Sequence, residues 1–157
     1  MGRQLRKVAA NWQHPKDKNG NYIPLLDGKF SERLAKWEEE NAQWEKGFRD
    51  DWNGGWKPKE ADEMNMTFAE WDGEKPVKED YMPEWKDEEL THIQLYENTT
   101  EGTPISPVYL ASEIEKLCEY AAENCSTFAD FKATKDEWRS MLDKDFVHHT
   151  QGNITFI

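Results

Sequence analysis

The sequence predicts an α+β domain with a small antiparallel sheet, three main helices and a long irregular segment pinned by aromatic side chains. Three observations predict it. Apolar residues recur at helical spacing in three separate stretches, and two short apolar runs at about 90–110 read as strands. Eight Trp, five Tyr and seven Phe stand in a chain that is only 36% hydrophobic. Leu, Ile, Val and Phe number 26 of 157, below the level that ordinarily marks a globular core. Aromatic side chains bury roughly 150–250 Å² each, so a few of them replace many aliphatic ones. At 157 residues the chain is expected to form a single domain, 1–157.

Residues 1–29 carry Arg3, Arg6, Lys7, Lys16 and Lys18 against Asp17 and Asp27, with turn signals at His14-Pro15, Asn19-Gly20 and Asp27-Gly28. They read as a loop-rich basic arm, with at most a short strand at 21–26. A helix is predicted at about 31–47, capped by Ser31, because Leu34, Trp37, Asn41, Trp44 and Phe48 share one face while Glu38, Glu39, Glu40 and Glu45 take the other. Trp37, Trp44 and Phe48 are therefore expected in the core, packed on the hairpin or the second helix. From 50 to 85 the periodicity disappears, broken by Gly54-Gly55, Pro58, Gly73, Pro76 and Pro83. One short helix survives there, opened by the Thr67 and Glu70 capping box and stopped by Gly73. Thr91, Ile93 and Leu95 then alternate with His92, Gln94 and Tyr96, and a second run follows at 108–110, which together read as a hairpin with a long loop. Ser112 with Glu115, and Thr134 with Glu137, predict capped helices at about 113–123 and 135–144. The tail from Gly152 has a strand-like composition suited to pairing with the hairpin.

Charge narrows the function classes. Lys and Arg number 20 against 32 Asp and Glu, a net charge of -12 with a pI near 4.8 and a mean hydropathy of -1.03. Such a surface repels nucleic-acid phosphate and anionic lipid, so no direct nucleic acid and no membrane is expected as a partner. No run of about 18 apolar residues is present to span a bilayer, and the first ten residues lack the apolar stretch of a secretory signal. The expected location is the cytoplasm. There Cys118 and Cys125 are expected as free, packed thiols, and the Asn65, Asn98, Asn124 and Asn153 glycosylation triplets arise by chance.

No metal or other cofactor is expected. Cys118, Cys125, His92, His148 and His149 lack zinc-ligand spacing, and the His148-His149 pair reads as solvated or capping. The chain holds no G-x-S-x-G, P-loop or G-x-G-x-x-G motif, and Gly102-Thr103-Pro104 has neither the lysine nor the helix start of a phosphate cradle. No catalytic residue is assigned. The remaining signals suit protein recognition: Trp52, Trp56, Tyr81 and Trp85 as aromatic anchors, with Glu101 and Thr103 on the hairpin loop. Residues from Tyr81 onward hold 6 basic and 15 acidic side chains. Glu88, Glu89, Glu119 and Glu123 are the acids chosen there for a basic groove, either mimicking nucleic acid or merely conferring solubility.

The stretches Tyr81-Met82-Pro83-Glu84-Trp85, Thr91-His92-Ile93-Gln94-Leu95-Tyr96-Glu97 and Gly102-Thr103-Pro104-Ile105-Ser106-Pro107-Val108 resemble small uncharacterised proteins of tailed bacteriophages and prophages. Trp12-Gln13-His14-Pro15-Lys16-Asp17, Tyr22-Ile23-Pro24-Leu25 and the run from Trp37 to Gly47 resemble the same group, so the likeness covers about 12–110. It implies a phage-encoded accessory protein in the cytoplasm of the bacterial host and names no activity. The expected function is a non-enzymatic inhibitor, of the anti-defence or anti-CRISPR type, that binds a host or bacterial-immunity protein through a basic surface. A structural virion or assembly component is the alternative, and a small enzyme of unrecognised type a further one. Homo-oligomerisation is left open.

Overall fold

The computed structural model describes residues 2–127, 132–148 and 154–156, with side chains described as far as Leu142. In chain order the elements are β1 (Arg3–Val8), α1 (Phe30–Glu45), β2 (Phe48–Asp50), β3 (Trp56–Pro58), α2 (Phe68–Trp71), β4 (His92–Glu97), β5 (Thr103–Pro104), β6 (Tyr109–Leu110), α3 (Ile114–Asn124), α4 (Lys135–His148) and β7 (Ile154–Phe156). The fold is α+β with small antiparallel sheets. The chain divides into two compact units, Gly28–Pro83 and the pair of segments Met1–Asp27 and Glu84–Ile157.

In the discontinuous unit the hairpin forms as its alternation predicts, with β5 and β6 both pairing antiparallel with β4. The basic arm is corrected. Its residues Arg3–Val8 form β1, which lies between β4 and β7 in the sheet. The register sets Leu5 opposite Leu95, Arg6 opposite Gln94 and Gln4 opposite Tyr96. Because side chains alternate across a strand, Leu5, Ile93 and Leu95 share one face. Against them pack Ile114, Leu117, Cys118 and Ala121 of α3 with Trp138 and Leu142 of α4. The other face carries Gln4, Arg6, Gln94 and Tyr96, all buried. At 21–26 the short strand reduces to isolated bridge residues, Tyr22 paired with Lys16, and Leu26.

The two capped helices begin by different means. Thr134 and Glu137 exchange side-chain-to-backbone hydrogen bonds of 3.1 and 3.2 Å before α4. Ser112 does not cap α3; Glu113 Oε1 accepts the Leu110 N–H at 3.0 Å across a single 3-10 turn that precedes the helix. The tail strand pairs with β1, with Arg3 opposite Phe156, and not with the hairpin. Both cysteines are buried. The His149 ring, the side chain of His148 and the Asn153 triplet lie outside the described residues.

One glycine is fixed by close approach. Gly102 has φ +112°, and a Cβ there would stand 2.1 Å from the Leu25 carbonyl oxygen and 2.6 Å from Arg6 Nη2. Its own carbonyl accepts the Leu25 N–H at 3.0 Å, tying the hairpin loop to the residues after β1.

In the Gly28–Pro83 unit, α1 starts one residue before Ser31, with Lys29 as N-cap. It stops at Glu45 because Gly47 adopts φ +98° and its N–H bonds back to the Trp44 carbonyl at 3.0 Å. That left-handed residue turns Phe48 out of the helical stripe and into β2, where it is 40% exposed. The expectation of a core Phe48 is thereby corrected. Trp37 and Trp44 are buried, and within this unit they pack on Phe68 of α2. Their indole N–H groups donate to the Gly73 and Met66 carbonyls at 3.0 and 2.8 Å. The Thr67 and Glu70 box caps α2 in both directions, at 3.0 and 3.1 Å.

Candidate functional site

The sequence-predicted anchors Trp52 and Trp56 lie on one hairpin of the Gly28–Pro83 unit. In β2 and β3, Asp50 stands opposite Trp56. The connecting loop is held by its own carboxylates: Asp50 Oδ1 accepts the Trp52 N–H at 2.7 Å, and Asp51 Oδ1 accepts the N–H groups of Asn53 and Gly55 at 2.8 and 2.9 Å. Those two N–H groups hold the Asp51 carboxyl below its ordinary pKa. The loop places Trp52 at φ +65°, a region that bulky residues avoid unless their surroundings impose it. Trp52 is 68% exposed. Its ring nevertheless stacks on Trp71 at 6.0 Å, and Trp71 stacks on Trp44 at 4.9 Å, both at an interplanar angle of 28°. Three indoles thus run as one column from buried core to solvent.

Beneath that column Arg49 bridges to Glu63 at 2.5 Å and sets its guanidinium over the Trp71 ring at 5.1 Å. Burial works to raise the Glu63 pKa, but the Glu60 N–H and Arg49 outweigh it and keep the carboxyl below its ordinary value. Trp56 is partly exposed on the same hairpin. Tyr81 is half-buried against Phe30, with ring centres 5.7 Å apart.

The other predicted residues belong to the discontinuous unit. Trp85 is half-buried, edge-on to Trp12 at 5.0 Å. Glu88 and Glu89 are exposed on a single 3-10 turn, Asp87–Glu89, where Glu89 Oε1 accepts the Lys86 N–H at 3.3 Å. Glu101 is exposed at φ +68°, and Thr103 Oγ1 lies 2.6 Å from Thr100 Oγ1. Glu119 and Glu123 are exposed on α3. Part of that helix's negative charge is already answered, since Lys135 bridges to Glu119 at 3.0 Å and Arg139 to Glu115 at 2.6 Å.

A cluster that the sequence reading did not single out sits on the polar face of the sheet. Arg6 is 1% exposed and donates to Gln4 Oε1 at 2.6 Å, the Leu25 carbonyl at 2.9 Å and Asn98 Oδ1 at 3.3 Å. Its guanidinium lies 4.3 Å from the centre of the Tyr96 ring. Around the Tyr96 hydroxyl converge Trp12 Nε1 at 3.0 Å, His14 Nδ1 at 3.0 Å and Gln94 Oε1 at 3.1 Å. His14 Nε2 is 2.6 Å from the Ile23 carbonyl. Burial lowers the His14 and Arg6 pKa values and pushes Tyr96 up to about 12.

Over this network opens a cavity of about 550 Å³, lined by Trp12, Gln13, His14, Lys16, Tyr22 and Gln94 among others. A second cavity, of about 380 Å³, shares Tyr22 and Gln94 with it and reaches Ser106 and Tyr120. The Ser106 hydroxyl there is committed to the Leu95 N–H and the Pro107 carbonyl, both at 2.9 Å. A sequence signal for the cluster existed in the alternating His92, Gln94 and Tyr96, read at first only as the hairpin's polar row. Among the described residues no group of three His, Cys, Asp or Glu is placed to hold a metal ion, and no helix is long and apolar enough to cross a membrane. No protein-family model, curated protein or solved structure matches the chain.

Proposed function

We propose that the chain is a non-enzymatic binding protein, of the phage accessory kind its sequence resembles, that docks on a basic surface of a host or bacterial-immunity protein and blocks it. The observation that carries this reading is Trp52. An exposed indole held at positive φ by two carboxylate-capped turns is an anchor whose ordering is complete before it meets a partner, which lowers the entropy lost on binding. Trp is favoured at interface hot spots. Asp50 and Asp51 beside it, in a chain of net charge -12, favour a partner with lysine and arginine around an apolar pocket.

The test uses the intact chain and its Trp52→Ala variant as baits in bacterial lysate, followed by binding kinetics on the captured protein. A basic protein is expected on the parent bait. Loss of the indole should raise its dissociation rate about tenfold or more, while added salt should slow association. Equal dissociation rates for parent and variant would remove Trp52 from the interface. An acidic partner would overturn the charge argument.

A further inference from the structure

The cavity above Tyr96 has a composition unlike the rest of the molecule. The chain carries 32 Asp and Glu, yet none of the described residues that line this cavity or the one that adjoins it is acidic. Lys16 is the one Lys or Arg among the described lining residues. Its position is built by a tight turn in which Asp17 Oδ1 accepts the N–H groups of Asn19 and Asn21 at 2.8 and 3.0 Å. That turn brings Lys16 and Tyr22 into a β-bridge and sets Lys16 Nζ 5.0 Å from the centre of the Tyr22 ring. The Asp17 carboxylate is thus turned to its own backbone.

The walls are aromatic and the floor is fixed. Trp12 and Tyr22 stand nearly perpendicular to the buried His14 ring, at 81° and 88°, with centres 5.7 and 5.5 Å from it. Both imidazole nitrogens are engaged, with Tyr96 and Ile23, so the floor is rigid. Gln94 uses its amide oxygen toward Tyr96 and one N–H toward the Ser106 carbonyl, which leaves its second amide N–H for a ligand. Lys16 and the missing carboxylates disfavour a cation. The same lack of carboxylates removes the acceptors that commonly hold sugar hydroxyls, and the polar floor disfavours a wholly apolar guest.

We infer that this cavity binds a small anion of the nucleoside monophosphate class, its planar base against the Tyr22 and Trp12 walls, the base edge toward Gln94 and its phosphate at Lys16. A volume of about 550 Å³ falls in the range of roughly 300–1,000 Å³ usual for small-ligand sites. Base stacking on an aromatic side chain contributes roughly 1–3 kcal/mol. The excess of acids over the whole molecule sets the site against a polynucleotide, whose many phosphates it repels.

Titration calorimetry on the full chain tests this with AMP, adenosine, ribose 5-phosphate and an adenine hexanucleotide as probes. The variants are Lys16→Glu and Tyr22→Ala; Tyr22 is 41% exposed, so its loss leaves the core intact, and circular dichroism verifies the fold of each. Saturable AMP binding is expected, with adenosine and ribose 5-phosphate each weaker by about tenfold or more, one lacking the charge and the other the ring. Lys16→Glu and Tyr22→Ala should each weaken AMP about tenfold. The inference is overturned if AMP shows no saturation up to about 5 mM, if both folded variants bind as the parent does, or if the hexanucleotide binds more tightly than AMP. None of these outcomes depends on Trp52 or on a protein partner.

Discussion

The Tyr96 hydroxyl has one proton and two acceptors within reach, His14 Nδ1 and Gln94 Oε1. Trp12 Nε1 already donates to the same oxygen. Neutral His14 donates from Nε2 to the Ile23 carbonyl and presents Nδ1 as an acceptor, so the phenol proton is shared between Nδ1 and Gln94 Oε1. Burial, aided by the charge of Arg6, keeps the imidazole in that neutral form and lowers its pKa in the folded protein. In the unfolded chain His14 takes up its proton around its ordinary value of 6.5. Stability from the neutral ring is therefore complete above that pH and drains as pH falls below it toward the lower folded value. The urea midpoint of the parent should drop between about pH 7.5 and about pH 5.5, and His14→Gln should reduce that drop. An identical drop in both proteins would assign the acid sensitivity to other groups.

At the scale of elements, α1 carries the sharpest contrast. Trp44 is buried beneath Phe68 and Trp71, whereas Phe48, four residues on, is 40% exposed. Trp44→Ala should destabilise by about 3–5 kcal/mol and Phe48→Ala by less than about 1 kcal/mol, read by urea unfolding. Equal losses would mean that the helix continues through Gly47. The helix was legible because its Trp spacing is regular. Its end was not, because the stop depends on one glycine entering the left-handed region rather than on any break in the apolar pattern. The Thr67 and Thr134 boxes were legible for the opposite reason, each being local chemistry complete within four residues.

β1 was hidden by its own burial. Arg3, Gln4 and Arg6 read as a solvated arm, yet all three are buried, each with a partner distant in sequence. Arg3 reaches the Ser126 carbonyl at 2.8 Å, Gln4 reaches Asp27 at 2.5 Å and Arg6 reaches Leu25 at 2.9 Å. No window along the chain contains those pairs. The cavity escaped for the same reason, since Gln94 and the Trp12 to Tyr22 loop meet only when β1 lies beside β4. Trp52 was legible as a residue, but not the turn that strains it.

Across the whole molecule the charge is shared evenly. Gly28–Pro83 contains 9 Lys and Arg against 15 Asp and Glu, a net of -6, and the remaining segments contain 11 against 17, again -6. The contrast between halves of the sequence, with the excess placed after Tyr81, therefore does not persist as a contrast between folded units. Each unit carries self-repulsion that salt relieves. The thermal midpoint should rise between about 20 and 200 mM NaCl, because like-charge excess outweighs exposed ion pairs of small individual worth. A falling midpoint would show that the ion pairs dominate.

The central position of β1 also has a consequence in time. Its neighbour β4 is encoded after the entire Gly28–Pro83 unit, so at synthesis rates of roughly 5–20 residues per second β1 leaves the ribosome several seconds before that neighbour exists. Through that interval Leu5 and Val8 have no strand to pair with, and before it ends every residue of the intervening aromatic unit has been made. A nascent chain halted once Pro83 has cleared the ribosome, with β4 still inside it, would present the tryptophan column behind an N-terminal segment still open to proteases and chaperones.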